Sequence, residues 1–199
     1  MTKLLTNIPV ASYDPSLRNW GIAVGSYNTE TNEITISSID VIQPVLDKGK
    51  QVRQNSLDVE SGLQLFTGAY NASKGCLLVF AEVPVGSQSS RSMCSYGVCT
   101  GVLGSLKAMG VPLVEVTPTE VKMASVGSKT ATKEDMITWA VGKYPNLNWP
   151  KHGKSISAAK AEHMADAVAA IYAGISCNPF QQLLPMLAAQ YQGRHANQP

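Results

Sequence analysis

The spacing of apolar and polar residues changes several times along the chain, and each change predicts an element. Residues 9–14 form a mostly apolar strand that runs into Asp14, and a Pro15-Ser16 turn separates it from a second strand through Trp20-Gly21-Ile22-Ala23-Val24. The two resemble a hairpin. A polar turn at 28–32 precedes residues 34–41, whose β-branched side chains favour a third strand. Over 52–72, Leu57, Leu63, Leu65 and Phe66 recur at mainly helical spacing, with Gly62 as a weak point. The run 76–81 is continuously apolar and of strand length, as expected for a strand covered on both faces, and it stops at Glu82 ahead of Pro84 and Gly86.

A second helix is predicted over 92–109, stopped by Gly110, with Gly97, Gly101, Gly104 and Ala108 suited to close helix packing. Residues 111–116 read as a fifth strand. Thr117-Pro118-Thr119-Glu120 then has the form of a capping box and starts a short helix that carries Lys122. Thr132 caps another helix that runs past Trp139 to about Tyr144, and a loop holding Trp149 and His152 follows. The last core helix spans about 157–173, with a further helix near 181–191 and a frayed polar end. Three strands followed by alternating helices and strands predict a mixed α/β sheet flanked by helices. No repeat or linker divides it, so residues 1–176 form one domain and 177–199 a helical extension and tail.

Composition narrows the class. The 199 residues are 44% hydrophobic and 15% charged, which suits one well-packed globular domain and excludes a disordered or fibrous chain. No run approaches the roughly 20 apolar residues of a membrane span, and the start is too short and polar for a secretory signal, so a cytoplasmic protein without a membrane partner is expected. Cys76, Cys94, Cys99 and Cys177 lack the spacing of zinc or redox sites and read as reduced thiols. The net charge of +2 identifies no partner, but its distribution is uneven. Lys122, Lys129, Lys133, Lys143, Lys151, Lys154 and Lys160 are opposed in their stretch only by Glu134 and Asp135, and Lys48, Lys50 and Arg53 form a smaller cluster. Such clusters make either a phosphate-binding face or an ordinary solvated one. Trp139 and Trp149 could stack on unpaired bases, though core packing is the expected fate of both.

Candidate chemistry lies in the acids that break these patterns. Asp14 interrupts an apolar strand, Glu82 ends a buried one, and Glu162, His163 and Asp166 fall on a late helix, where offsets of three and four share a face. Carboxylates at the ends of core strands are expensive unless paired or neutralised by a cation, which makes them natural magnesium ligands. If Asp14, Glu82 and Asp166 meet, two magnesium ions about 4 Å apart would activate a water and stabilise the leaving oxygen of a phosphodiester. His163 would complete the metal shell or assist proton transfer. Taken singly, each has a plainer reading: Asp14-Pro15 as a turn pair, Glu82 as a strand end, and the HxxD of His163 and Asp166 as a surface pair. The ordered combination is what points to a nuclease.

That order resembles the RuvC family of Holliday junction resolvases, whose core is ribonuclease H-like. The family carries an aspartate on its first strand, a glutamate at the end of its fourth, and an acid or histidine three residues before an aspartate on its final helix, matching Asp14, Glu82, His163 and Asp166. Val121-Lys122, Val126-Gly127 and Ala131-Thr132-Lys133 are similar to its connecting segment, and the resemblance covers roughly residues 10–173. It implies a five-stranded sheet, three strands antiparallel and then parallel ones, and paired nicking of four-way or other branched DNA by a homodimer. It further implies magnesium, as two ions and with manganese as a substitute, bound by Asp14, Glu82, His163 and Asp166. Lys122 and Lys133 would join these as catalytic residues beside the scissile phosphate, and Arg53, Arg91 and Lys129 would bind DNA with them. The helix 92–109 is the expected dimer interface, and recombination or repair in a bacterial or phage-infected cell the expected setting.

The match has departures. Some members carry an aromatic residue three positions after the glutamate, where this chain has Val85 followed by a polar stretch to Arg91. A ribonuclease H acting on RNA:DNA hybrid remains an alternative, with Asp58 or Glu60 as its first-helix acid. So do a strand-transfer enzyme, although these usually finish in glutamate, a sugar-kinase-like ATPase suggested by Asp14 with Gly21, and a non-catalytic junction-binding protein.

Overall fold

The computed structural model describes residues 7–47, 49, 53–153 and 155–195; of the residues singled out above, Lys48, Lys50 and Lys154 lie outside them, as do position 52, where the first helix was expected to begin, and the side chain of His152. A five-stranded sheet has the order β3-β2-β1-β4-β5. Strands β1 (Asn7–Asp14), β2 (Trp20–Asn28) and β3 (Ile34–Ile42) form an antiparallel meander, while β4 (Leu78–Glu82) and β5 (Leu113–Val116) run parallel to β1. The mixed sheet of three antiparallel and then parallel strands is therefore as expected from sequence.

Helices cover both faces. Against one pack α1 (Gln54–Ser73) and α2 (Ser90–Ala108), through Leu65, Ala69, Cys99, Leu103 and Leu106. Against the other lie α3 (Pro118–Ser125), α4 (Lys133–Lys143), α5 (Ala158–Ser176) and α6 (Asn178–His195). The two-residue alternation of the strands sorts side chains between these layers. In β1, Ile8 and Val10 face the α5 layer and Ala11 and Tyr13 the α1 layer. In β4, Leu78 and Phe80 face α5 and Val79 and Ala81 face α1. Carried one step further, the same alternation turns Asp14 and Glu82 toward α5. Because Tyr13 pairs with Ala81, both acids stand at the same end of the sheet.

The capping box read from sequence, Thr117 with Glu120, is present, and Thr132 caps α4 as expected, with Asp135 completing a second box there. Other expectations need correction. Leu63 does not join the core: α1 buries Asp58, Ser61, Leu65, Ala69 and Ser73, at helical intervals, and leaves Leu63 58% exposed. Gly97, Gly101 and Gly104 of α2 do not serve close packing within the chain, since a Cβ on any of them would meet nothing within 4 Å. The expected loop after Trp149 contains a short hairpin, β6 (Lys151–His152) with β7 (Ser155–Ile156). Trp149 is buried, and Trp139 packs edge-on against Tyr172, so both tryptophans are structural. The cysteines are all free thiols, and no helix among the described residues is long and apolar enough to cross a membrane.

The C-terminal helix contributes to the core. Phe180 is fully buried, its ring set edge-on to both Tyr27 and Phe80 at centroid distances of 5.8 and 5.4 Å. Phe80 in turn lies against Gly174 of α5, where a Cβ would sit 1.9 Å from the ring. Phe180→Ala would open a cavity between sheet and helices, and we expect it to cost about 3–5 kcal/mol, read as an earlier midpoint in urea unfolding. An unchanged midpoint would mean that α6 is not part of the cooperative unit.

Candidate active site

Asp14 and Glu82 reach the same corner as α5 because α5 lies unusually close to β1 and β2. Gly21 stands opposite Asp14 in the β1–β2 ladder, and a Cβ there would fall 2.0 Å from the carbonyl oxygen of His163. Glycine permits this approach of backbone to backbone. Beside it, the Ser12 hydroxyl donates to the Ala167 carbonyl at 2.5 Å and ties β1 to the same helix. His163 and Asp166, three residues apart, then face the strand ends together.

The resulting cluster is electrostatically tense. His163 Nδ1 lies 2.5 Å from Asp14 Oδ2, with both side chains mostly buried. Burial alone would lower the imidazole pKa, but the Asp14 hydrogen bond and the charges of Asp14, Glu162 and Asp166 outweigh it and hold the value above the usual one. Burial, followed by repulsion from Asp14 and Asp166, pushes Glu82 up to about 8. Burial, then Asp14 and Glu162, pushes Asp166 up to about 7. Lys122 on α3 opposes both shifts. Lys133, the first residue of α4, pairs with Glu162 at 2.6 Å and also feels Asp166 and Asp14.

The structure thus gathers Asp14, Glu82, His163, Asp166, Lys122 and Lys133. It does not bring the other predicted residues there. Arg91 forms a two-pronged ion pair with buried Asp58, both contacts at 2.6 Å, joining α2 to α1. Asp58 is thereby engaged by Arg91. Arg53 precedes α1 and Lys129 lies in the α3–α4 connection, both exposed. Lys143 sits over the Tyr172 ring at the far end of α4 from Lys133, so the lysine-rich stretch does not form one face. Val85, in the loop after Glu82, is 83% exposed.

Two further side chains take their places only in the folded chain. Glu162 stands in sequence only as one of several potential metal ligands on the last helix; the approach of α4 to α5 makes it the partner of Lys133. Arg18, exposed in the loop that follows Asp14, lines a hollow with Asn19, Arg91 and Tyr96. Its position four residues beyond a candidate metal ligand was the available signal.

Among the described residues, no group of three or more His, Cys, Asp or Glu side chains is already arranged to hold a metal ion. The donor chemistry nevertheless fits a hard divalent cation. Glu82 and Asp166 are mutually repelling oxygen donors in a partly desolvated corner, which is the environment such a cation relieves. Asp14 Oδ2, now engaged by His163, would have to be released to join them.

No family model and no curated protein matches the chain. Solved structures do. Thermus thermophilus RuvC superposes with a TM-score of 0.57 at 18% identity, over 91% of this chain and 98% of that one. The T. thermophilus RuvC in complex with Holliday junction substrate gives a TM-score of 0.57 at 19% identity, over 83% and 92%. The fowlpox virus resolvase with substrate Holliday junction DNA gives 0.50 at 15% identity, over 89% and 99%. The chain has the RuvC fold. At 15 to 19% identity the RuvC-like fold is shared while most side chains are not, so the chemistry of this corner rests on its own residues.

One consequence is open to measurement without any substrate. Glu82 ionises with more difficulty in the folded than in the unfolded chain, so the folded state binds the extra proton. Stability from this group is full below its ordinary value of 4.5 and is lost as pH rises toward about 8. In metal-free buffer, Glu82→Gln should therefore match the native protein near pH 4.5. At pH 8 it should exceed it by roughly 2 kcal/mol, or about 5 °C in thermal midpoint. Parallel pH profiles for the two proteins would count against a strained Glu82.

Proposed function

We propose that this protein is a magnesium-dependent endodeoxyribonuclease that resolves four-way DNA junctions as a homodimer. The observation that carries the reading is the meeting of Asp14, Glu82 and Asp166 at one corner of a RuvC-like fold, with Lys122 and Lys133 beside them. Magnesium bound by the three carboxylates, two ions with manganese as an alternative, would activate a water and stabilise the leaving oxygen. Asp14, Glu82 and Asp166 would hold the ions, and His163 would exchange its hydrogen bond to Asp14 for a place in the shell or a role in proton transfer. Lys122 and Lys133 would neutralise the phosphate and the charge that develops on it during cleavage. Arg53, Lys129 and the exposed side of Arg91 would contact the DNA backbone farther away.

The substrate follows from two supports. Two of the matched structures are resolvases bound to Holliday junction substrate. Of the first-helix acids that a ribonuclease H could use here, Asp58 is paired with Arg91 and Glu60 accepts a hydrogen bond from Gln64 on its own helix, which favours the junction over RNA:DNA hybrid. The homodimer rests on the outer face of α1 and α2. There Val59 and Leu63 are 74% and 58% exposed and line a groove with Phe66, Val98 and Val102, beside the open glycine face of α2. Two symmetry-related sites suit paired incision of a two-fold junction.

The deciding experiment compares an end-labelled four-way junction with matched duplex and RNA:DNA hybrid, in magnesium, manganese or EDTA, with the oligomeric state measured by sedimentation. Symmetric, metal-dependent nicks in the junction are expected. Hybrid cleavage alone would favour a ribonuclease H, and tight junction binding without cleavage a binding protein.

A further inference from the structure

Lys133 stands at an electrostatically awkward place. It is the first residue of α4, directly after the N-cap Thr132 and inside the Thr132–Asp135 capping box, where the helix presents its positive end and acidic side chains are favoured. Yet it is not left to solvent. Its ammonium lies 2.6 Å from Glu162, and the two partners differ in freedom: the Lys133 side chain is 76% exposed and that of Glu162 only 18%. Glu162 is set in α5 between buried Ala161 and Met164, so the glutamate is the fixed end of the pair. It also adjoins His163, and its charge is felt at both His163 and Asp166. The lysine, so held, feels Asp166 and Asp14 in turn.

We propose that Glu162 is a positioning residue that tethers Lys133 over the carboxylate cluster, where its ammonium meets the phosphate being cut. The inference rests on the nuclease reading and adds a specific role for a side chain outside the metal-ligand set. An untethered lysine on a solvent-facing helix start samples many rotamers, and each excursion removes the cation from the site. Glu162 restricts those excursions from a helix that also carries His163 and Asp166, so the tether and the candidate metal ligands move as one body.

The test is a double-mutant cycle on single-turnover cleavage of a synthetic four-way junction in magnesium, with native protein, Glu162→Gln, Lys133→Ala and the double variant. Glu162→Gln should slow cleavage at saturating protein about 10-fold, and Lys133→Ala about 100-fold. The double variant should be no slower than Lys133→Ala, because the glutamate acts only through the lysine. Junction affinity in calcium and the magnesium concentration for half-maximal rate should each change by less than about twofold in Glu162→Gln. In parallel, NMR titration of the Lys133 amine should give a lower pKa in Glu162→Gln than in native protein.

An unchanged cleavage rate in Glu162→Gln, or a double variant slower than Lys133→Ala by the full single-variant factor, would overturn the tether. So would a raised magnesium requirement, which would make Glu162 a metal ligand instead. Native protein that cuts no nucleic acid while the Lys133 amine still responds to Glu162 would sink the nuclease reading itself.

Discussion

Asp14→Asn should abolish cleavage, lowering the rate on a four-way junction by about a thousandfold or more, while leaving the protein folded and able to bind the junction. The substitution keeps the size of the side chain and an oxygen that can still accept from His163, but it removes the negative charge that all the neighbouring groups feel. Repulsion on Glu82 and Asp166 falls, so thermal stability without metal should hold or rise. A divalent cation bound as proposed would meanwhile lose one of its three carboxylates, and His163 loses much of what favours its protonated form. Junction affinity in EDTA should stay within a few-fold of native, because the proposed backbone contacts are made by Lys and Arg side chains that the substitution leaves in place. Single-turnover cleavage measured beside gel-shift binding checks both halves. An Asp14→Asn variant that cuts within tenfold of native would mean that the chemistry occurs elsewhere.

Gly21→Ala should damage the fold and the site together. The added methyl would lie 2.0 Å from the His163 carbonyl oxygen and 2.6 Å from its carbonyl carbon, and neither is the end of a flexible side chain. Helix α5 has to move away or the β1–β2 ladder has to buckle. Both carry buried core, including Ala23, Ala165 and Val168, so the loss should be about 3 kcal/mol, with lower urea and thermal midpoints. Function should suffer beyond stability. A shift of about an ångström in α5 separates His163 and Asp166 from Asp14 and Glu82, and cleavage should drop by roughly 100-fold even where the variant is fully folded. Near-native activity in the folded variant would mean that the close approach of α5 is not needed for the site.

These two residues illustrate how differently parts of the site are encoded. Asp14 is conspicuous in the chain because it breaks an apolar alternation, and so is Glu82 at the end of a continuous apolar run. Once 9–14 and 76–81 are read as neighbouring strands, the two-residue period alone puts both acids on one face. Gly21 shows no such signal. Its role exists only where a backbone from residue 163 crosses it, and a glycine in a strand is equally consistent with a bulge, as Gly25 illustrates at the register shift in the β2–β3 ladder.

Helix starts were legible for a similar reason. Thr117 with Glu120 and Thr132 with Asp135 satisfy backbone donors within a few residues, so their pattern is complete in the local sequence. The packing of α1 and α2 was less so. Their spacing predicted helices correctly but not which stripe is buried, and Leu63 and the α2 glycines face outward. A stripe is assigned by what lies opposite, and for these helices that is the sheet on one side and open space on the other.

What the sequence by itself determined is the order of strands and helices, the face on which Asp14 and Glu82 emerge, and the three-residue step from His163 to Asp166. All follow from the fixed periods of strand and helix. Only the tertiary structure decided that His163 bonds Asp14 across 149 residues, that Glu162 rather than solvent receives Lys133, that Arg91 is paired with Asp58, and that Phe180 belongs to the core. Those pairings depend on the distance and angle at which separate elements pack, and no local period carries that information.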